Sequence, residues 1–231
     1  MSKNNLFLVN NALNVNKLSV YDNNERFLQT LTTVESIKKY GPPKSRVVMF
    51  DNSIEKPDQR DKIQELERRG VEFMYYGDVP LVKSFSIAGN RSAAECVAFS
   101  TLLKDLKGDI ENNHRIYKLS GRYCLNKNFV MDAPEYDGAF VFANALDSWM
   151  TDIQKRLTGV SKLYRLRLWH MDGSLINIFR NELNTIFQDC LQYGIDVEHA
   201  YYKYLHKYKV VEVDKIGVQG NIAPSGEWVD E

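Results

Sequence analysis

The sequence predicts an α/β protein: a mixed, mostly parallel sheet flanked by helices, with a helical C-terminal third. Short apolar runs of strand length recur at residues 6–9, 46–50, 71–76 and 115–119. Stretches with helical periodicity or dense charge separate the first three, giving repeated βα units. Beyond residue 174 the apolar period turns helical and stays so to about residue 207.

Residues 6–9 read as a buried strand that opens into an asparagine-rich loop, residues 10–24. Asparagines in such a loop either satisfy the backbone through side-chain turns or hydrogen-bond a nucleoside or sugar. Asp22 or Asn23 caps a helix over residues 24–40, with Phe27, Leu31, Val34, Ile37 and, less regularly, Leu28 on the core face. Gly41-Pro42-Pro43 stops it. The second strand, 46–50, ends in Asp51-Asn52-Ser53. An aspartate at a strand's carboxyl end is placed either to accept hydrogen bonds from a base or ribose or to cap the next turn. Pro57-Asp58 opens a charged helix over 59–69, and residues 71–76 form the third strand. A long loop is expected from Asp78-Val79-Pro80, then a helix over 92–107 with Arg91 and Ser92 at its N-terminus, where free amides attract anions.

Residues 115–119 lead into Ser120-Gly121-Arg122-Tyr123. Two cations, Lys118 and Arg122, around a glycine turn at a strand end suit an anionic ligand such as a diphosphate. The plainer alternative is a solvated lysine, a turn glycine and an arginine paired with a nearby carboxylate. A short helical turn is expected at 126–129 and a buried strand at 139–143. Residues 147–159, with Trp149, read as an irregular crossover. Residues 162–169 alternate, setting Arg165, Arg167 and Trp169 against Leu163, Leu166 and Leu168. Such an arginine face is either a solvated edge or a clamp for an acidic ligand. His170, Asp172 and Gly173 follow at its end. Helices are expected at 175–193 and, capped by Asp196, at 197–207; residues 210–213 and 216–218 close the chain as a hairpin or edge strands.

Bulk composition narrows the function. At 231 residues and 44% hydrophobic content, one large domain with a sizeable core is expected. Thirty basic residues balance thirty acidic ones, which argues against duplex DNA as the main partner. The three cysteines are widely spaced and odd in number, as in a reducing, cytoplasmic protein. No apolar run approaches the roughly 18 residues of a transmembrane helix, and residues 1–5 lack a signal-peptide core. The P-loop, the dinucleotide G-x-G-x-x-G, the G-x-S-x-G elbow and His/Cys metal spacings are all missing.

Three islands carry a resemblance: Glu25-Arg26-Phe27-Leu28-Gln29-Thr30 through Thr33 and Ser36-Ile37; residues 47–53, ending Asp51-Asn52-Ser53; and residues 117–126, with Lys118, Ser120-Gly121-Arg122-Tyr123 and Leu125-Asn126. Together with the ending at residues 216–226 they resemble a group of small glycosyltransferase-like proteins of phages, large DNA viruses and bacteria. The resemblance implies a GT-A-like, Rossmann-like fold in a single domain, with a nucleotide-sugar-binding half at 1–125 and an acceptor-binding half at 126–231. It implies a nucleoside-diphosphate sugar as donor, such as a UDP-sugar, and a glycan, another hydroxyl compound or a modified base in phage DNA as acceptor. In that frame Val9, Asn10, Asn11 and Asp51 line the nucleoside, and Lys118, Ser120, Gly121, Arg122 and Arg91 hold the diphosphate. Arg165, Arg167, His170, Gln219 and Asn221 face the acceptor. Most GT-A enzymes hold Mn²⁺ or Mg²⁺ with Asp-x-Asp; this chain has Ser120-Gly121-Arg122 at that place. Either Lys118 and Arg122 replace the metal's charge, or single carboxylates such as Asp137 or Asp172 hold an ion. Glu198 is the first candidate for general base and Asp172 the second, each with helix capping as the alternative. A catalytically silent relative that keeps the fold is the competing reading. For a DNA acceptor, Tyr201, Tyr202 and Tyr204 are candidates to stack on a flipped base.

Overall fold

The computed structural model describes residues 4–14, 19–56, 60–222 and 225–231. Residues 57–59, the expected opening of the second helix, and residues 223–224 lie outside them. In chain order the strands and helices are β1 (Asn5–Asn11), α1 (Asn23–Tyr40), β2 (Arg46–Asp51), α2 (Arg60–Arg68), β3 (Val71–Tyr75), α3 (Pro80–Ile87), α4 (Arg91–Asp105), α5 (Lys107–Ile110), β4 (Arg115–Ser120), β5 (Tyr123–Leu125), β6 (Phe140–Ala143), β7 (Leu146–Asp147), α6 (Asp152–Thr158), β8 (Lys162–Leu163), β9 (Leu168–Asp172), α7 (Ile176–Gln192), α8 (Val197–Leu205), β10 (Val210–Val213), β11 (Val218–Asn221) and β12 (Trp228–Asp230).

A seven-stranded sheet in the order β10-β6-β9-β4-β1-β2-β3 forms the centre. β4, β1, β2 and β3 run parallel, and β9 alone runs against its neighbours β4 and β6. Strands buried on both faces explain why they read as continuous apolar runs. Alternate residues serve two cores. Leu6, Leu8, Val48 and Phe50 join α4, α7 and α8 on one face, and Phe7, Val9, Val47 and Met49 join α1 and α2 on the other. A smaller sheet, β12-β11-β5, flanks the end of β4.

Four expectations are corrected. The loop after Asp78 is largely α3, opened by Pro80 at a first-turn position, where its missing N–H costs nothing. The crossover at 147–159 contains α6, with a Thr151/Gln154 capping box and a left-handed Gly159 at its end. Residues 162–169 are not one alternating strand: β8 ends at Leu163 and β9 begins at Leu168. Trp169, placed with the arginines by alternation, is fully buried against Phe99, Phe142 and Phe179. Of the two alternatives for the end of the chain, the edge strand holds for β10, which lies parallel beside β6 at the sheet's edge, while β11 pairs with β5 and β12 and no hairpin joins the two.

Candidate functional site

The parallel strands β1, β2 and β4 end together, and a cleft of about 770 Å³ opens over their carboxyl ends. Asn10, Asn11, Ser120, Gly121 and Arg122 line it with Lys118 and Arg91, as do Arg165, Arg167 and Glu198 from the second half of the chain.

Two sequence islands meet here. α1 was expected to bury an apolar stripe, yet its buried face includes Arg26, Thr30, Thr33 and Ser36, while Leu28 is exposed. The reason is hydrogen bonding to the glycine turn and the strand after it. Thr33 Oγ1 donates to the Tyr123 carbonyl (2.9 Å), and Leu125 N donates to Ser36 Oγ (2.9 Å). Asn11 Nδ2 donates to Thr30 Oγ1 (3.1 Å), and Gly121 N to the Asn10 carbonyl (2.7 Å). A Cβ on residue 121 would sit 2.9 Å from Asn11 Oδ1, so the turn closes this tightly only on glycine.

Apart from Arg91, at the start of α4, the cations of the cleft fall into three groups. Lys118 is buried and ion-paired with Glu95 of α4 at 2.7 Å, with the Leu166 carbonyl 3.4 Å from its Nζ. Burial raises the Glu95 carboxyl, but Lys118 outweighs it and leaves the group below its ordinary range. The lysine charge is therefore already neutralised. Arg165 and Arg167 both contact the Glu231 carboxylate, so this pair does act as a clamp for an acid, and the acid is the chain's own. Arg26 and Arg122 differ. Neither has an ion pair among the described residues. Arg26 is 5% exposed and donates to Gln29, and Arg122 Nε is buried without a partner. Burial, then the like charge of Arg122, pulls the Arg26 guanidinium down to about 10. The Tyr123 ring lies between Arg122 (5.0 Å) and Arg167 (5.5 Å).

Glu198 stands in the first turn of α8, behind an Asp196 cap. Burial, then the charges of Asp196 and Glu95, push its carboxyl up to about 7. Beside it, Trp149 packs edge-on over His199 (4.9 Å). His199 is wedged between Asp196 and Ser148, whose Oγ lies 2.8 Å from Nε2. Ser148 is 6% exposed, which makes this row a tie under the cleft wall and not a nucleophile.

Other expected site residues lie elsewhere. Val9 is core. Asp51 is fully buried, and its oxygens accept from Leu13 N (2.6 Å) and Ser53 N (2.9 Å); it anchors the loop that forms the cleft edge. Gln219 and Asn221 sit on β11, where Asn221 donates to the Gly226 carbonyl, and that segment reaches the cleft through Ile222. Asp172 and His170 are misplaced by direction: β9 is antiparallel, so its end faces the opposite rim of the sheet, where Asp172 pairs in register with Arg115 at the start of β4. Arg115 is fully buried and holds Asp132 (2.8 Å), Asp137 (2.7 Å) and Asp172 (3.2 Å). His170 packs between Tyr117 and Tyr136, and burial, with Arg115 adding to it, pushes it down to about 3. Of the tyrosines proposed for base stacking, Tyr201 is core, Tyr202 stacks on His206, and none lines the cleft.

His114, Asp132 and Asp137 bring ligand atoms within 4.8 Å of one another and could hold a divalent ion, but at that opposite rim. In the cleft itself three carboxylates are present among the described residues, Glu55, Glu95 and Glu198; Glu95 is engaged by Lys118, and an arginine follows Gly121. Sequence reasoning missed Arg26, Glu95 and Trp149. The first had a signal, since it lies in the α1 island that meets the glycine turn.

No protein-family model and no curated protein matches the chain. Among solved structures, the bifunctional glycosyltransferase WbbM aligns with a TM-score of 0.54 at 8% identity, over 92% of this chain and 39% of its own. A glycosyltransferase involved in glycosylation of the major capsid of PBCV-1 aligns at 0.44 and 9%, over 91% of this chain and 81% of its own. A cytidylyltransferase from Leptospira borgpetersenii aligns at 0.46 and 12%, over 100% and 82%. At these identities the likeness is one of fold, and the chain has a GT-A-like, Rossmann-like α/β fold.

Proposed function

We propose that the chain is a glycosyltransferase that moves a sugar from a nucleoside-diphosphate sugar to an acceptor hydroxyl. The observation that carries this reading is one cleft holding both two arginines without an ion pair among the described residues, Arg26 and Arg122, and a carboxyl that burial pushes up to about 7, Glu198. In this reading residues 1–125 supply the donor side. Asn10, Asn11, Ser120 and Gly121 contact the nucleoside and sugar, and Arg122 with Arg26, aided by Arg91, holds the diphosphate. Lys118 acts through Glu95 to shape the floor. Residues 126–231 supply the acceptor side, with Glu198, Trp149, Arg165 and Arg167.

Glu198 takes the proton of the acceptor hydroxyl as its oxygen bonds to the anomeric carbon. The bond from that carbon to the diphosphate breaks, and the electron pair leaves on the phosphate oxygen. Arg122 and Arg26 stabilise the charge that develops there, in the role a metal plays in many GT-A enzymes. In this reading the transfer is a single displacement, so the configuration at the anomeric carbon inverts.

A thermal-shift series with UDP, GDP and CDP, each with and without Mn²⁺, tests the donor half. At least one should raise the melting temperature without metal, and Arg122→Ala should remove that shift. No shift at millimolar nucleotide would sink the proposal. The competing reading, a silent binding module, draws support from the acceptor-side arginines being held by Glu231. Measurable hydrolysis of the sugar nucleotide would count against it.

A further inference from the structure

One side of the cleft is formed by two loops stitched to each other, the residues after β1 and the residues after β2. Leu13 N donates to Asp51 Oδ2 (2.6 Å) and Asn14 N to Ser53 Oγ (3.1 Å). Asn14 Nδ2 donates to the carbonyls of Glu55 (3.0 Å) and Lys56 (3.3 Å), and Asn52 N to the Asn11 carbonyl (3.3 Å). These bonds hold the loop after β2 by its backbone and by the side chains of Asp51 and Ser53. The side chains of Asn52 and Glu55 are left unspent. Neither has a hydrogen bond or ion pair among the described residues, and both line the cleft. The neighbouring cation does not neutralise Glu55, since Lys56 lies over the Tyr75 ring (5.9 Å). Between the two polar side chains, Ile54 also lines the cleft and is 37% exposed. The other carboxylates of the cleft stand elsewhere: Glu95 is held by Lys118 of β4, and Glu198 belongs to α8.

We propose that this loop selects guanine as the base of the donor, with Glu55 as the specificity-determining residue. The inference rests on the transferase reading and names its donor as a guanosine-diphosphate sugar. Guanine's pairing edge sets two donors side by side, N1–H and the 2-amino group, next to the O6 acceptor. A carboxylate is acceptor-only, and its two oxygens take both donors together, while an N–H of the Asn52 amide fills O6. Ile54 supplies the apolar surface that a flat ring lies on; a ribose diol would use the carboxylate and leave that surface uncovered. The other bases fail on the same groups. Uracil has one donor, N3–H, flanked by two carbonyl oxygens, so the second carboxylate oxygen meets an acceptor. Cytosine and adenine offer an amine beside a ring nitrogen that carries no proton. A site built to bond a donor rejects the analogue that lacks it.

Calorimetric titration of the full chain with the diphosphates of guanosine, inosine, uridine, cytidine and adenosine tests this. GDP should bind at least about tenfold tighter than UDP, CDP or ADP, within the range for one bidentate pair. IDP keeps O6 and N1–H and lacks the 2-amino group, so it should bind about fivefold or more weaker than GDP. Glu55→Gln should weaken GDP about tenfold and change UDP by less than about twofold. Because Glu55 is exposed and its side chain has no partner among the described residues, the variant should keep the wild-type melting temperature. UDP, CDP, ADP or IDP binding as tightly as GDP overturns the inference and leaves the transferase reading standing. So does a Glu55→Gln change that leaves GDP untouched. A change that weakens all five nucleotides alike overturns it too, since the carboxylate would then hold the ribose. Binding of none of the five sinks the transferase reading, and the inference with it.

Discussion

The two rims of the central sheet use buried arginine in opposite ways. At the start of β4, Arg115 spends its terminal nitrogens on Asp132, Asp137, Asp172 and the Tyr136 carbonyl, leaving only Nε without a partner. At the other end of the same strand, roughly 17 Å away at strand rise, Arg122 and Arg26 stand close enough to repel and form no ion pair among the described residues, although Arg122 feels the charge of Glu95, which Lys118 holds. A buried charge is tolerated when it is paired and hydrogen-bonded. The first rim meets that condition within the chain; the second forms no ion pair among the described residues. In the function proposed above, the difference separates an arginine that holds the fold from one that receives an anionic ligand.

Arg115→Met should break the first rim hardest. It strands three carboxylates, one of them only 15% exposed, and should cost about 3–5 kcal/mol in urea unfolding. The nucleotide-induced thermal shift of the protein that remains folded should survive, and its loss would erase the contrast between the rims. Glu198→Gln comes next. Turnover should fall about 100-fold or more with donor KM little changed. Wild-type activity should rise with pH through about 7, as the base ionises, and the variant should lack that limb. The same group makes stability pH-dependent. Its folded pKa lies above its unfolded value, so the folded state keeps a proton that the unfolded chain releases. Stability should then fall as pH rises from about 4.5 to about 7, and Glu198→Gln should flatten that fall in a melting series.

Arg26→Met sharpens the second rim. Nucleoside diphosphate binding should weaken by about 1.5–3 kcal/mol in calorimetry, the range for a hydrogen bond to a charged group. The unliganded protein should melt roughly 2–4 °C higher if relief of the repulsion is worth about 1 kcal/mol. Glu231→Gln should have the smallest effect. It loosens β12 by about 1 kcal/mol or less and frees Arg165 and Arg167, so half-maximal thermal stabilisation by sulfate should need less sulfate than in the wild type.

Much of this was legible before the fold was seen. β1, β2, β4 and β6 are buried on both faces and therefore stand out as apolar runs. That Arg122 and Glu198 line the cleft could be anticipated, because a strand end with a glycine turn and an acid one step into a capped helix are local features; the roles given to them belong to the proposal above. What failed was whatever a distant partner decides. Lys118 reads as a free cation until Glu95 of α4 reaches it. The polar face of α1 makes sense only against the backbone of residues 121–125. Alternation through residues 162–169 misled because Tyr164 and Trp169 both turn inward, Tyr164 stacking on Phe142. Asp172 was misassigned because a strand's direction is set by its pairing, and its composition does not record it.

That reversed strand bears on how the protein can vary. Because β9 runs against β4, the chain entering it, with Trp149, Leu163 of β8, Arg165 and Arg167, borders the cleft, while Asp172 at its end packs against Arg115. Exchanges between Leu146 and Arg167 can reshape that wall of the cleft without touching the arginine hub. Those at Asp172 itself disturb the hub and leave that wall in place. Within one short strand, the scaffold separates the stretch free to diversify from the stretch obliged to stay constant.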